Sequence, residues 1–203
     1  MKQYTQLPDF RTQWGWRRRF LYELLRCYAQ RFQGAQWEAT QVPAQGAAIL
    51  ACNHLSVIDP ILLIVSNQRM ISFLVAMEYY AIPWLRPILD LGGSIPVRRD
   101  GHDLFALRQA KRNLDAGRVL GLFPEGGIGR SDLQKGLAWL VQNTGAPVVP
   151  ARVLGVQQYA TDWQTWLTRQ HPRLRYGVPL HFHRDTCAEE ILGATRSAIA
   201  TLA

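Results

Sequence analysis

The chain has 203 residues, of which 48% are apolar and 19% charged, and it carries a formal net charge of +8. This composition supplies a full hydrophobic core and excludes a disordered chain. Three scattered cysteines, Cys27, Cys52 and Cys187, exclude a disulfide framework or a cysteine zinc site, and they are expected to be reduced packing residues of an intracellular protein.

The first predicted element is a basic amphipathic helix. Residues 1–33 hold seven Lys or Arg against Asp9 and Glu23, a net of +5, so the other 170 residues supply only +3. From Trp14 to Phe32, the apolar positions Trp14, Leu21, Leu24, Leu25, Tyr28 and Phe32 fall on one helical face, with Arg19, Glu23, Arg26 and Gln30 opposite. Arg17 and Arg18 flank the stripe, and Trp16 points off it. Such a helix is the pattern of an interfacial anchor, and equally of a helix packed on its own domain with a solvated back. A basic head on a balanced body calls for an anionic partner, nucleic acid or a membrane surface. No apolar run nears the ~20 residues of a spanning helix. The longest, "ILLIV" at 61–65, is five residues, and "MKQYTQLPDF" has no signal-peptide stretch. Neither export by a recognisable signal nor a conventional transmembrane protein is expected.

Residues 34–203 read as one globular unit. "FQGAQWEATQVPAQG" is a loop or short strand, and beyond it short apolar runs alternate with helical patterns. The runs are 47–52, 71–76, 94–97, 119–123, 146–154 and 174–182. Helical patterns follow Pro60, Glu78, Gly101 and Ser131, and a last one covers Thr186 to Leu202. Strands separated by helices predict an α/β domain with a largely parallel central sheet flanked by helices.

In such sheets chemistry gathers beyond the carboxyl ends of strands. "NHLSVIDP" ends the first run and sets His54 and Asp59 five positions apart. In one helix that step rotates roughly 140°, so the two side chains meet only if the chain turns between them. Asp59 before Pro60 is a good helix cap, which alone explains the pair. At a strand-to-helix turn it could also fix the tautomer of His54, leaving the second ring nitrogen free as a base. Asn53 and Ser56 are expected to hold that turn. Arg98 and Arg99 end another strand, where a guanidinium could clamp a phosphate or simply face solvent. Glu125, followed by Gly126 and Gly127, could orient a substrate hydroxyl or be a turn residue. "APVVP" lacks polar chemistry and could only shape a pocket or pack a strand.

Taken in order, His-x4-Asp, Gly-x5-Arg (Gly93 to Arg99), Phe-Pro-Glu-Gly (Phe123 to Gly126) and a Val-Pro strand (Val149, Pro150) resemble the glycerolipid acyltransferase family, the group containing 1-acylglycerol-3-phosphate acyltransferases. The resemblance runs from about residue 47 to 155. It implies that His54 is the general base and Asp59 its orienter, deprotonating a lipid hydroxyl that attacks the thioester of acyl-CoA or of an acidic acyl carrier protein. It further implies substrate binding by Gly93, Arg99, Glu125, Gly126, Arg130 and Pro150, with no cofactor beyond the thioester co-substrate and no metal. The helices before the core are then a membrane-binding segment at 1–33, using Trp14, Trp16, Arg17, Arg18, Arg19 and Phe20, on the cytoplasmic face of a membrane and peripheral or monotopic.

The third motif departs from the family. Its usual continuation is Thr-Arg-Ser, whereas here "FPEGGIGRS" sets Gly127 and Ile128 in those places and an arginine two positions later, Arg130. Arg98 also stands where the family often has an acidic residue. Lysophosphatidic acid is the expected acceptor; a less charged lysolipid, glycolipid or lipid alcohol is the alternative. A nucleic-acid binder would use "WGWRRRF", but no other recognition motif accompanies it. A hydrolase would need a nucleophile, and Ser56 and Ser131 lack a nucleophile-elbow context.

Overall fold

The computed structural model describes residues 15–83, 85–98, 103–124, 130–157 and 162–203, with the backbone alone described at 130–134, 162 and 163. Trp14, Arg99, Glu125, Gly126, Gly127, Ile128 and Gly129 lie outside the described residues. Helix α1 (Trp16–Cys27) runs into a π-helical turn (Tyr28–Phe32). Seven strands and seven further helices follow: β1 (Gln36–Trp37), β2 (Ala48–Cys52), α2 (Asp59–Val65), β3 (Ile71–Ala76), α3 (Met77–Tyr80), α4 (Arg86–Leu91), β4 (Ile95–Val97), α5 (Leu104–Asp115), β5 (Val119–Leu122), α6 (Arg130–Thr144), β6 (Val148–Leu154), α7 (Asp162–Leu167), β7 (Arg173–Tyr176) and α8 (Ala188–Ala200).

The strands form one sheet in the order β1-β7-β6-β2-β5-β3-β4. All pairs are parallel except β6–β7, so β1 and β7 run against the other five strands. Parallel strands need crossovers that cover both faces, which is why β2 reads as an unbroken apolar run and all five of its residues are buried. Two cores result. One face packs Leu50, Cys52, Phe73, Val149 and Val153 under α1, the π-turn and α2. The other packs Ile49, Ala51, Leu120, Leu122 and Val148 under α5, α6 and α8. The predicted α/β class, with a mostly parallel sheet flanked by helices, is the one observed.

Several local expectations change. The last run ends as a strand at Tyr176, because Gly177 breaks the ladder and only a single bridge, Val148 to Leu180, continues it. Helices α4 and α7 lack a clear apolar period in sequence. Of the cysteines only Cys52 is buried; Cys27 and Cys187 are exposed, so they are not core packing residues.

The α1 face also differs from the predicted stripe. Tyr22 points inward, its hydroxyl donating to the Val65 carbonyl at 2.9 Å, and Leu25 packs beside it. Leu24 is exposed instead, on a second face of α1, and Phe32 is exposed because the π-turn adds a residue and shifts the phase after Cys27. Trp16, Phe20 and Leu24, four apart, make an outward apolar line of their own, with Trp16 75% and Phe20 67% exposed. Below α2, Tyr176 accepts from Asn67 at 2.7 Å and pairs with the Ser66 hydroxyl at 2.6 Å, tying β7 to the helix end. Burial pushes the Tyr176 phenol well above its ordinary range.

Candidate active site

The site begins where β2 stops. Asn53 extends the β2–β6 pairing with its side chain: Nδ2 donates to the Val153 carbonyl at 2.9 Å, and the Val153 N–H donates to Oδ1 at 2.7 Å. Its role is this long-range tie, not the local turn bond expected from sequence. The backbone then leaves the sheet, and His54 emerges at the carboxyl rim.

The turn back into α2 is organised by one carboxylate. Asp59 Oδ2 accepts the Leu55 N–H at 2.6 Å and the Ser56 N–H at 2.7 Å, and lies 3.0 Å from His54 Nδ1. Asp59 is therefore not the helix cap the sequence suggests. Ile58 occupies that position, and Asp59 with Pro60 forms the first turn. Its carboxylate reaches backward to hold the preceding loop. Oδ2 already accepts two backbone N–H groups, so it acts as an acceptor toward the ring as well. His54 Nδ1 then carries the proton, and Nε2 presents a lone pair. The Asp59 side chain is fully buried whereas that of His54 is 29% exposed, so the imidazole alone meets solvent. Asp59 Oδ1 is buried without a hydrogen-bond partner among the described residues.

A wall of rings stands behind the histidine. Phe123 stacks on His54 with centroids 4.3 Å apart and planes at 23°, and Phe73 stacks on Phe123 at 5.6 Å and 12°. Phe73 fits because Gly121 lies opposite it in the β3–β5 register; a Cβ on Gly121 would collide with the Phe73 ring. The sequence reading used Phe123 only as a motif letter and missed Phe73 and Gly121. The available signal was a glycine inside an apolar strand, which marks close approach of another group.

The remaining candidates are dispersed. Gly93 lies in the turn just before β4 with φ 66°, where a Cβ would come against the Met70 and Ser72 side chains. Pro150 is buried within β6 opposite Ala51 and packs the strand. Its carbonyl accepts the Gly177 N–H where the β6–β7 ladder ends. Arg98 is exposed at the end of β4, its N–H donating to Asp103 Oδ2 at 3.0 Å. Arg130 opens α6, with its side chain outside the description. The structure thus joins His54, Asp59 and Phe123. Among the described residues no group of three or more His, Cys, Asp or Glu is placed to hold a metal ion.

The family model described as Acyltransferase matches residues 37–154, more than half of the chain, running from Trp37 at the end of β1 to the end of β6. The chain belongs to the acyltransferase family. Curated relatives include two proteins of Mycobacterium tuberculosis strains and one of Mycobacterium bovis, all described as uncharacterized. Each is 30% identical across 58% of this chain and 36% of its own length. The chain therefore spans about a third of the length of the curated relatives it matches. Among solved structures, the fold is shared with the 1-acyl-sn-glycerophosphate (LPA) acyltransferase PlsC from Thermotoga maritima. That match has a TM-score of 0.67 and 18% identity, covering 91% of this chain and 80% of the other.

Proposed function

We propose that this acyltransferase-family protein moves a fatty acyl group from an acyl thioester to a lysolipid hydroxyl, with lysophosphatidic acid the preferred acceptor and phosphatidic acid the product. The observation that carries the reading is the buried Asp59 bonded to the part-exposed His54 at the sheet rim. The Thermotoga maritima protein, named as an LPA acyltransferase, supports it through the shared fold.

In this mechanism the acceptor hydroxyl gives its proton to His54 Nε2 while its oxygen forms a bond to the thioester carbonyl carbon. The tetrahedral adduct collapses, the C–S bond breaks, and the imidazolium passes the proton from Nε2 to the leaving sulfur, so the products are the ester and a free thiol and His54 returns to its neutral form. Asp59 keeps the ring in the Nδ1–H tautomer and stabilises its charged form; a positioned base contributes about 10²–10⁴ in rate. Phe123 and Phe73 limit the plane in which the ring lies. Arg99 and Arg130 are the proposed ligands of the acceptor phosphate.

The reaction takes place on a membrane surface. The outward Trp16–Phe20–Leu24 line, with Arg17 and Arg19 exposed beside it, supports docking onto anionic lipid. Arg17 lies 5.4 Å from the Trp16 ring centre, which keeps charge and aromatic together at one interface. No described helix is long and apolar enough to cross a membrane, and the proposed attachment is peripheral or monotopic at the cytoplasmic face.

The test is thiol release from an acyl thioester with and without lysophosphatidate, scored for the diacyl product. Lysophosphatidate-dependent release with product is expected. If release proceeds only by hydrolysis, or a neutral alcohol is acylated faster, the acceptor assignment fails. If no acyl transfer occurs with any lysolipid, the activity itself is wrong.

A further inference from the structure

We infer that the carboxyl rim of the sheet is itself a lipid-bilayer contact, separate from the α1 line, with apolar anchors on both sides of His54; this rests on the lipid-acceptor reading above. On one side Met77 follows β3 directly and is exposed. Leu104 and Phe105 stand beside the end of β4, held there because Asp103 accepts the Arg98 N–H, and Phe105 is 70% exposed. On the other side β7 runs against β6, so its first residue, Arg173, pairs with Leu154 at the rim. The segment before it carries Leu167, 72% exposed, at the end of α7. The π-turn joins this side. The His171 N–H donates to the Gln33 carbonyl at 2.9 Å, which brings the exposed Phe32 to the same rim. Large apolar side chains left in water at one end of a domain mark a contact surface.

Three observations select a bilayer as the occupant. First, the sheet order places β2 and its histidine between the two groups, with β5, β3 and β4 on one side and β6 and β7 on the other. From β4 to β7 the anchors are spread over five strand spacings, about 24 Å. A folded partner touching both groups would cover His54 and bar the acceptor, whereas a fluid bilayer carries the acceptor itself. Second, the apolar groups are interleaved with exposed arginines: Arg31, Arg169 and Arg173 beside Phe32 and Leu167, and Arg108 one turn after Leu104. Glu78 and the capping Asp103 oppose them, so the fringe is basic and suits anionic lipid. Third, Phe32 ends the π-turn that continues α1, so the rim adjoins the α1 line along one edge. Met77, Leu104, Phe105 and Leu167 lie beyond residues 1–33, to which the resemblance assigns membrane binding. The rim is therefore a second contact. Its task is to set the height of His54 against the headgroups, not merely to attach the protein.

The test uses the whole chain without acyl donor, and vesicles of phosphatidylcholine alone or mixed equally with phosphatidylglycerol. Phe105→Ser with Leu167→Ser changes one anchor on each side of His54. Both side chains are exposed, so the thermal transition should keep its wild-type position. Partition onto the mixed vesicles is expected to fall about tenfold or more. Trp16→Ser with Phe20→Ser should lower it as well, and the two pairs of changes together should lower it further. Arg169→Glu with Arg173→Glu should weaken binding to the mixed vesicles and leave binding to phosphatidylcholine unchanged. In acyl transfer, the Phe105→Ser, Leu167→Ser variant should lose rate on lysophosphatidate held in vesicles. Its rate on a short-chain lysophosphatidate dissolved as monomer should stay at the wild-type value. Partition that falls only with the α1 changes overturns the proposal. So does self-association of the wild-type protein that the rim changes abolish while partition stands, which would make this face a contact between copies. Absence of acyl transfer with any lysolipid defeats the activity reading alone, because partition is read without donor or acceptor and still decides the surface.

Discussion

Two strand-to-helix turns in this protein use an aspartate in similar ways, with different results. After β2, Asp59 Oδ2 collects two backbone N–H groups and the His54 ring, and its side chain has no solvent exposure. After β4, Asp103 accepts the Ala106 N–H at 2.9 Å and the Arg98 N–H at 3.0 Å, and it stands at the N-cap of α5 near solvent. The backbone need is the same, since a chain leaving a strand exposes donors that a short carboxylate can satisfy. What separates a chemical group from a structural one is the third partner and the burial. An imidazole at the first turn makes the carboxylate an electrostatic counterpart; at the second it remains a cap.

The largest break in this comparison comes from the imidazole. Changing His54 to Ala should lower kcat for acyl transfer by about 10²–10⁴ while leaving the thermal transition near its wild-type position. Near-normal turnover in the folded variant would remove His54 from the chemistry.

Placing the same substitution at both turns sharpens the contrast. Asp59→Asn should cut turnover by up to about 10⁴, no further than loss of the imidazole itself, because an amide cannot stabilise the imidazolium. It should also cost about 1–3 kcal/mol, because the new NH₂ group would occupy the unpartnered, buried position of Oδ1. Asp103→Asn should be close to neutral, as Asn and Asp are comparable caps. Equal denaturation midpoints for the two Asn variants would refute the distinction.

The ring wall exists only at the first turn. Gly121→Ala should destabilise by about 1–3 kcal/mol through overpacking against Phe73, and should lower activity by displacing Phe123 from the imidazole. Wild-type activity in that variant would show that the stack does not set the ring plane.

Removing the second cap altogether has a modest effect. Asp103→Ala should cost about 1 kcal/mol in urea denaturation. The bond from the Ala106 N–H holds the Asp103 carboxyl below its ordinary range. A depressed folded value gives stability that is present above the unfolded value and is lost as pH falls through the folded one. The difference between wild type and Asp103→Ala should therefore close in acid, below the ordinary carboxylate range. A difference independent of pH would mean that the cap is not ionic.

The sequence made the parallel strands legible because burial on both faces leaves continuous apolar runs such as "AILAC". It also posed the His54–Asp59 question correctly, since five residues can bring the two together only through a turn. It misassigned the cap because residue preference at a helix start cannot tell the Ncap from the next position; that depends on where the carboxylate finds its donors. Helix α1 misled for another reason. It is apolar on two faces, and a single-stripe reading merges Leu25, which packs inward, with Leu24, which does not.

In the π-turn at Tyr28–Phe32 the Gln33 N–H reaches the Tyr28 carbonyl, five residues back, so the chain holds one residue more than an α-helix would. The far end of the turn is pinned, with the Tyr28 hydroxyl donating to the Trp166 carbonyl and Gln33 Nε2 donating to that hydroxyl. Deleting one residue here is consequently a rotation rather than a shortening. The turn would relax to α-helical spacing, and α1 would swing by about 100° around its own axis. Tyr22 would leave Val65, and the Trp16–Phe20–Leu24 line would point toward the flank of the domain. The heading of that line is thus stored as a phase, adjustable by one residue without altering any side chain in it.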